Sequence, residues 1–383
     1  MAKTTSTVIV LIYCSVFVAS SIYVLIPLQP LLAEKFDVSL QIASLSSTLF
    51  VFPYAFGLVF FGLIADHYPL RNILLIGMAL LTITTGLLAF NHSLEYIFIL
   101  RVFQGFFAAS FAPVTFSYCF KYFTGTRQAF AIAMLNTGFL FAGVFGQLLS
   151  VFLSQSYSYS GVFFAFFLFY LSCFIGLSLT LESNRFIKKK LTKNFFPILM
   201  ACCRDFTLQK LYSITFFLLL TIILFYGSFE IYLYHEWSDF PYSLQLLRSI
   251  SLIGILPAFF SSFFLNRFGA KYVLQVQLWI MVLGFIPASI HLNVITIIIA
   301  SFAMIASTSL SIPMMVLLIG KHAQIYQSTA VSLYSFVLLI GASIGSLLAP
   351  RLLFTTILFL IPMIFICLLF IARSVPKQPD DNE

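Results

Sequence analysis

Three ionisable side chains fall inside long apolar runs: Arg101, Glu230 and Arg248. A charge in such a place is costly and is a functional candidate by default. Arg101 lies about seven residues into its run, roughly 10 Å from the end at 1.5 Å per residue. Gln104, Ala108, Thr115 and Tyr118 follow it at helical spacing. A cation there can bind an anionic group or drive a proton from a nearby acid; it can equally stabilise a bundle by donating to helix carbonyls. Glu230 is the only carboxylate clearly inside a run, roughly 7 Å deep, with Arg248 roughly 9 Å deep on the next, so the two can pair. Burial raises a carboxyl pKa and a paired guanidinium lowers it, so a group held between those pulls can load and release a proton. The same pair would equally serve as an outer gate or snorkel to water.

The remaining polar residues in the apolar runs are few. Tyr13 and Tyr23 stand in the first run, Asn136 and Gln147 on one face of the fifth, and Tyr226 one turn before Glu230. Ser301, Thr308, Ser311 and Met315 share a face of the tenth, and Tyr334 lies in the eleventh. Together they would line a mostly apolar, aromatic cavity suited to an amphiphilic organic molecule. Each one alone is more often a packing residue. The five histidines are scattered near the ends of the runs, with no metal-ligand spacing and no relay. No Walker loop, dinucleotide turn or nucleophile elbow is present, so neither a metal, a cofactor, ATP-driven work nor enzymology has a basis in the residues.

What must position these side chains follows from composition. Of 383 residues, 61% are hydrophobic and 8% charged, against about 25% charged in soluble domains. Such a chain cannot cover its own surface in water, so lipid is its solvent. Spans of about 20 apolar residues are expected at 7–32, 40–64, 72–90, 95–121, 126–152 and 159–182. A second set is expected at 207–235, 242–266, 272–289, 293–320, 326–350 and 352–373. The net charge of +8 does not indicate nucleic acid. Of the 20 Lys and Arg, 16 fall on one side of these spans, which is the positive-inside rule and makes that side, with both termini, cytoplasmic. The six cysteines form no CxxC and none falls in an outer loop, so they are read as free thiols.

One polar joint organises the chain: Gly62-Leu-Ile-Ala-Asp66-His-Tyr-Pro-Leu-Arg71. Two hundred residues on comes Ser262-Phe-Phe-Leu-Asn266-Arg267-Phe-Gly269-Ala-Lys271. Asp66 aligns with Asn266, Pro69 with Gly269 and Arg71 with Lys271; in the same frame Pro113 matches Pro313 and Lys121 matches Lys321. A duplicated six-helix unit is expected: an N-terminal bundle over 1–182, a basic linker over 183–206, a C-terminal bundle over 207–373, and a disordered cytoplasmic tail over 374–383.

The 62–72 joint resembles the loop 2–3 signature of the major facilitator superfamily, G-x-x-x-D-R-x-G-R-R/K. Gly62, Asp66 and Arg71 match, and His67 and Pro69 depart from it. Arg101-Val-Phe-Gln104-Gly105 is similar to the R-x-x-x-G signature of the fourth helix in the twelve-helix drug/proton antiporter branch. The fifth helix of that branch carries G-x-x-x-G-P-x-x-G-G. Here Gly138 and Gly146 match, while Ala142, Gly143 and Gln147 replace Gly, Pro and Gly. The resemblance covers essentially the whole chain. It implies an all-α integral membrane protein of twelve helices in two pseudo-symmetric bundles, a secondary transporter in a bacterial inner membrane. It implies export of a small amphiphilic molecule, such as a drug or siderophore, against protons; twelve spans suffice for a monomer. Arg101, Glu230, Arg248 and Gln104 would handle protons or substrate. Gly62, Asp66, Arg71, Asn266, Arg267 and Lys271 would form a cytoplasmic gate. Uptake of an organic solute by proton symport is the alternative; a sensor or scaffold that moves nothing is the alternative of another class.

Overall fold

The computed structural model describes residues 2–90, 93–182, 195–235, 237, 244–324 and 326–376. Among them no strand occurs, and twelve helical spans are long and apolar enough to cross a membrane. The expected linker bases Arg185, Lys188, Lys189, Lys190 and Lys193, and the tail from 377 on, lie outside the described residues.

The chain divides into two compact units. The first contains α1 (Ala2–Tyr23), α2 (Gln29–Phe36), α3 (Leu40–Ala65), α4 (Leu70–Ala89), α5 (Leu94–Ala108), α6 (Phe111–Tyr122), the part of α7 (Gly125–Ser156) from Gly138 on, and α8 (Tyr159–Thr180). Within it α3 packs on α5, α4 on α5 and α8, and α1 on α8. Gly138 and Gly146 bring α7 against α1: a Cβ on Gly138 would fall on Ser15 Oγ, and one on Gly146 would lie 2.9 Å from Ser20 Cβ. Gly138 and Gly146 of the fifth span therefore let it pack closely on the first.

The second unit holds α7 up to Thr137, nearly all of α9 (Phe195–Arg204), α10 (Phe206–His235), α11 (Leu244–Ser251), a 3-10 segment Leu252–Phe260, α12 (Ser261–Phe268), α13 (Ala270–Ile290), α14 (Val294–His322), α15 (Gln327–Leu348) except residues 331–333, and α16 (Phe354–Arg373). α14 is its axis, buried from Ala303 to Gly320 without interruption. Three of its hydroxyls find carbonyls, in a span where water is not at hand. Ser307 donates to Gln277 O at 2.7 Å, Ser309 to Gly254 O at 3.2 Å, and Thr308 to Met304 O of its own helix at 2.7 Å.

Four expectations need correction. The first span ends at Tyr23 rather than 32; turns occupy Val24–Leu28, where Pro27 and Pro30 oppose a continuing helix. The fourth is broken at Ala109 and Ser110, since Pro113 has no N–H for the Ala109 carbonyl. Pro313 leaves α14 continuous, so proline weakens that point without deciding it. The eighth is not one α-helix: nine residues around Pro257 wind as a 3-10 segment, and Ser309 takes up the Gly254 carbonyl there. The linker, expected as one basic connection, carries a helix, because its residues Phe195–Arg204 form α9, with Ile198 and Cys202 buried one turn apart.

Asp205 begins α10 by accepting from the amides of Thr207 and Leu208, both at 2.9 Å, and faces His322 Nε2 at 3.1 Å. Burial alone would raise its carboxyl pKa, but the Leu208 amide, His322 and the Thr207 amide outweigh it and hold it below the usual carboxylate value. A depressed pKa stabilises the fold above the unfolded value, about 3.9, and that contribution is lost as pH falls through the lower folded value. Asp205→Ala is expected to cost about 1 kcal/mol at neutral pH through the lost cap. The gap to wild type should close only below about pH 4, measured by thermal unfolding of the detergent-purified protein across pH.

Candidate functional site

Arg101 is wholly buried on α5. Every hydrogen-bond acceptor the structure gives it is neutral. Nε donates to Ser46 O on α3 at 3.0 Å, and Nη1 and Nη2 both donate to Ser21 O on α1 at 3.3 Å. Nη1 also donates to Gln104 Oε1 at 2.5 Å. Ser21 is two residues from the end of α1, among carbonyls with no partner inside the helix. The guanidinium therefore caps the negative end of the first span, which offsets part of the cost of a buried cation. Gln104 passes the tie on, donating to Thr85 Oγ1 on α4 at 2.7 Å, and the Phe50 ring covers the guanidinium at 4.2 Å. Four helices thus meet on one side chain. None of these partners is an acid.

The second unit ties the same junction with neutral groups. Ser301, two hundred residues after Arg101, sits on α14 with Tyr226 OH of α10 at 2.7 Å and Ser251 Oγ of α11 at 2.6 Å. First, second and fourth spans meet in each unit, through a guanidinium in one and three hydroxyls in the other.

Beside that triad lies the pair foreseen from depth. Arg248 Nη2 is 3.9 Å from Glu230 Oε2, and the Arg248 guanidinium stands 5.1 Å from the centre of the Tyr226 ring. The burial expected of Glu230 is absent: its side chain is 66% exposed and that of Arg248 27%. A pair at that distance and exposure is loose and parts easily.

Other candidates turn toward their own surroundings. Tyr13 is exposed and hydrogen-bonds Ser172 Oγ at 2.9 Å. Tyr23 is half-buried, its ring 3.7 Å from where a Cβ on Gly143 would stand. Asn136 donates to Ile132 O at 2.8 Å and Thr308 to Met304 O, each within its own helix. Tyr334 is buried, and its hydroxyl and that of Ser311 have no partner. Both hydroxyls are buried polar atoms still open to a partner.

In the joints, Gly62 is buried and Asp66 ends α3, its amide donating to Ile64 O. Arg71 donates to Ser178 O near the end of α8 at 3.2 Å. Lys271 does the same for α16, donating to Arg373 O at 2.8 Å and Val375 O at 2.5 Å. The aligned bases therefore each tie the third span of a unit to the C-terminus of its sixth, a cation at the negative end of a helix. Asn266 and Arg267 are exposed; Asn266 donates to Thr126 Oγ1 at 2.8 Å, and Ser262 donates to Thr126 O at 2.9 Å.

The sequence model of the Major Facilitator Superfamily matches residues 11–263. The chain belongs to that superfamily. An uncharacterized transporter of Buchnera aphidicola subsp. Schizaphis graminum is 23% identical, with 85% of this chain and 79% of that protein covered. The uncharacterized MFS-type transporter YybF of Bacillus subtilis is 23% identical over 82% of this chain and 80% of its own. The crystal structure of the human organic anion transporter MFSD10 (TETRAN) superposes with a TM-score of 0.75 at 13% identity, covering 96% of this chain and 99% of that one. The fold is shared. This protein is a multi-pass membrane transporter with the major facilitator architecture of two pseudo-symmetric six-helix bundles.

Several working residues of this major facilitator protein carried little signal in sequence. Ser21 and Ser46 act through backbone carbonyls, which any residue would supply. Thr85 and Ser251 are single hydroxyls among many. Only the helical spacing of Arg101 and Gln104 pointed toward them.

Proposed function

We propose that this transporter exports a small, partly apolar organic molecule in exchange for protons, by rocking alternating access of bundles 1–182 and 207–373. The observation that carries the reading is the Glu230–Arg248 pair. It is loose, reachable, and set against Tyr226 and the Ser301–Ser251 hydroxyls. Protonating Glu230 removes its attraction for Arg248, and releasing the proton restores it. Cargo bound at one stage and a proton at the other would give exchange. Arg101 and Gln104 hold the first bundle in register for that motion. Gly62, Asp66, Arg71, Asn266, Arg267 and Lys271 close the cytoplasmic side when the cavity faces outward. The protein works as a monomer in a bacterial cytoplasmic membrane with both termini inside, which the one-sided distribution of Lys and Arg supports.

A second reading concerns the cargo. The loosely held Arg248 suits an anionic group, and the human protein of like fold is an organic anion transporter.

Proton movement into proteoliposomes tests the proposal, with candidate amphiphiles added to wild type and Glu230→Gln. Wild type is expected to move protons only when a transported compound is present, and Glu230→Gln to fall to the leak of empty vesicles. Full flux in the variant would make Glu230 a gate residue and overturn its role as carrier. Protons and compound travelling in the same direction would replace export with uptake.

A further inference from the structure

Arg248 stands between two partners on one face of α10. Its Nη2 is 3.9 Å from Glu230 Oε2, and its guanidinium carbon is 5.1 Å from the centre of the Tyr226 ring, one helical turn earlier. The two partners differ in freedom. Glu230 is 66% exposed and can swing into water. Tyr226 is buried and pinned at its far end by Ser301 Oγ at 2.7 Å. Counting protons gives the direction of that bond, because each hydroxyl has a single one to donate. Ser251 donates its own to Leu247 O at 2.8 Å, so it accepts from Ser301, and Ser301 accepts from Tyr226. As a donor, Tyr226 gains negative charge on its oxygen and ring, which makes the ring face a better seat for a cation. Neither seat outweighs the other by much, since a loose exposed ion pair and one ring face are both weak.

Among the described residues of the elements packed on α10 and α11, other charges are occupied or distant. Lys210 of α10, Lys321 and His322 of α14 and Arg373 of α16 lie at the opposite ends of their helices. Arg351, just beyond α15, turns back to donate to Leu347 O at 2.6 Å. Tyr232 lies against the Phe354 ring at 5.2 Å.

We propose that Tyr226 is the second seat of Arg248, a positioning residue whose ring keeps the guanidinium in the site when Glu230 is protonated. Its use in transport rests on the reading of Glu230 as proton carrier. Without the ring, loss of the Glu230 charge would release Arg248 to water. With it, the cation stays beside the Ser301 and Ser251 hydroxyls, where an anionic group of the cargo can reach it.

Nuclear magnetic resonance of the arginine Nε–Hε groups reads the seat directly, in full-length protein isotope-labelled at arginine and purified in detergent. Arg248→Lys assigns the signal. A proton over an aromatic face is shifted upfield by the ring current. Glu230→Gln stands for the protonated carboxyl, and it alters an exposed side chain that the fold does not depend on. The upfield shift of Arg248 is expected to persist in Glu230→Gln, to survive in Tyr226→Phe, and to be lost in Tyr226→Leu. Loss of the shift in Glu230→Gln, or its persistence in Tyr226→Leu, overturns the proposal. The signal needs neither cargo nor a gradient, so its loss counts against the seat and not against proton exchange.

Discussion

Arg101→Ala is expected to cost about 3–5 kcal/mol, the largest loss from any single truncation in the first unit. The reason lies in what the variant leaves behind. Ser21 O and Ser46 O lose their guanidinium donor, and Gln104 Oε1 loses a charge-assisted bond. In a span these groups have no water to turn to. Arg101→Lys should recover little, because one ammonium cannot reproduce three directions of donation to α1, α3 and Gln104. Arg101→Met is the informative partner. It keeps length and removes the charge, so it separates the cost of lost hydrogen bonds from the relief of not burying a cation. Thermal unfolding of the three variants in detergent ranks them. If Arg101→Lys melts with wild type, the guanidinium geometry is not what holds the four helices. The stability loss should also appear without any cargo present. A residue whose only task was to bind substrate would leave the empty protein's melting unchanged.

The spans were legible because burying backbone in lipid demands about 20 apolar residues in a row, a requirement written in composition alone. Where the chain departs from a plain helix, composition is silent. The break at Ala109–Ser110 and the 3-10 stretch around Pro257 each contain or adjoin a proline, yet Pro313 sits in an unbroken α14. Packing decides between these outcomes: Gly254 approaches Ala306 closely, and Ser309 is there to take its carbonyl. The Glu230–Arg248 pair could be foreseen from the depth of each residue. Its exposure could not, since depth along a helix says nothing about which face a residue occupies. The joints show a third case. The alignment of Arg71 with Lys271 is plain in sequence, but what each base touches is a helix terminus more than a hundred residues away. Carbonyl partners leave no mark on residue identity, so a repeat can be seen before its purpose can.

Gly105 shows why the fourth-span pattern couples a glycine to an arginine one turn earlier. A Cβ built on Gly105 falls on the Phe50 carbonyl oxygen, 2.9 Å from its carbon and 3.1 Å from Phe50 Cα. These are backbone atoms of α3, which no rotamer change can move. The absent side chain lets α5 lie against α3 closely enough for Arg101 Nε to reach Ser46 O, while the Phe50 ring covers the guanidinium. Gly105→Ala is expected to cost about 1–3 kcal/mol by overpacking, and Gly105→Val more, with its two γ-methyls added to the same contact. Gly143→Ala is the matched control. Its Cβ would meet only the Tyr23 ring, at 3.7 Å or beyond. Alanine there should be neutral or stabilising by up to about 1 kcal/mol through helix propensity. Because Gly105 and Arg101 serve the same approach of two helices, their losses should not add: with α5 already pushed off α3, removing Arg101 forfeits a bond that has been lost. Melting temperatures of Gly105→Ala, Arg101→Met and the double variant measure this. Full additivity would mean that the helix contact and the guanidinium tie are independent, and that the four-residue spacing has some other cause.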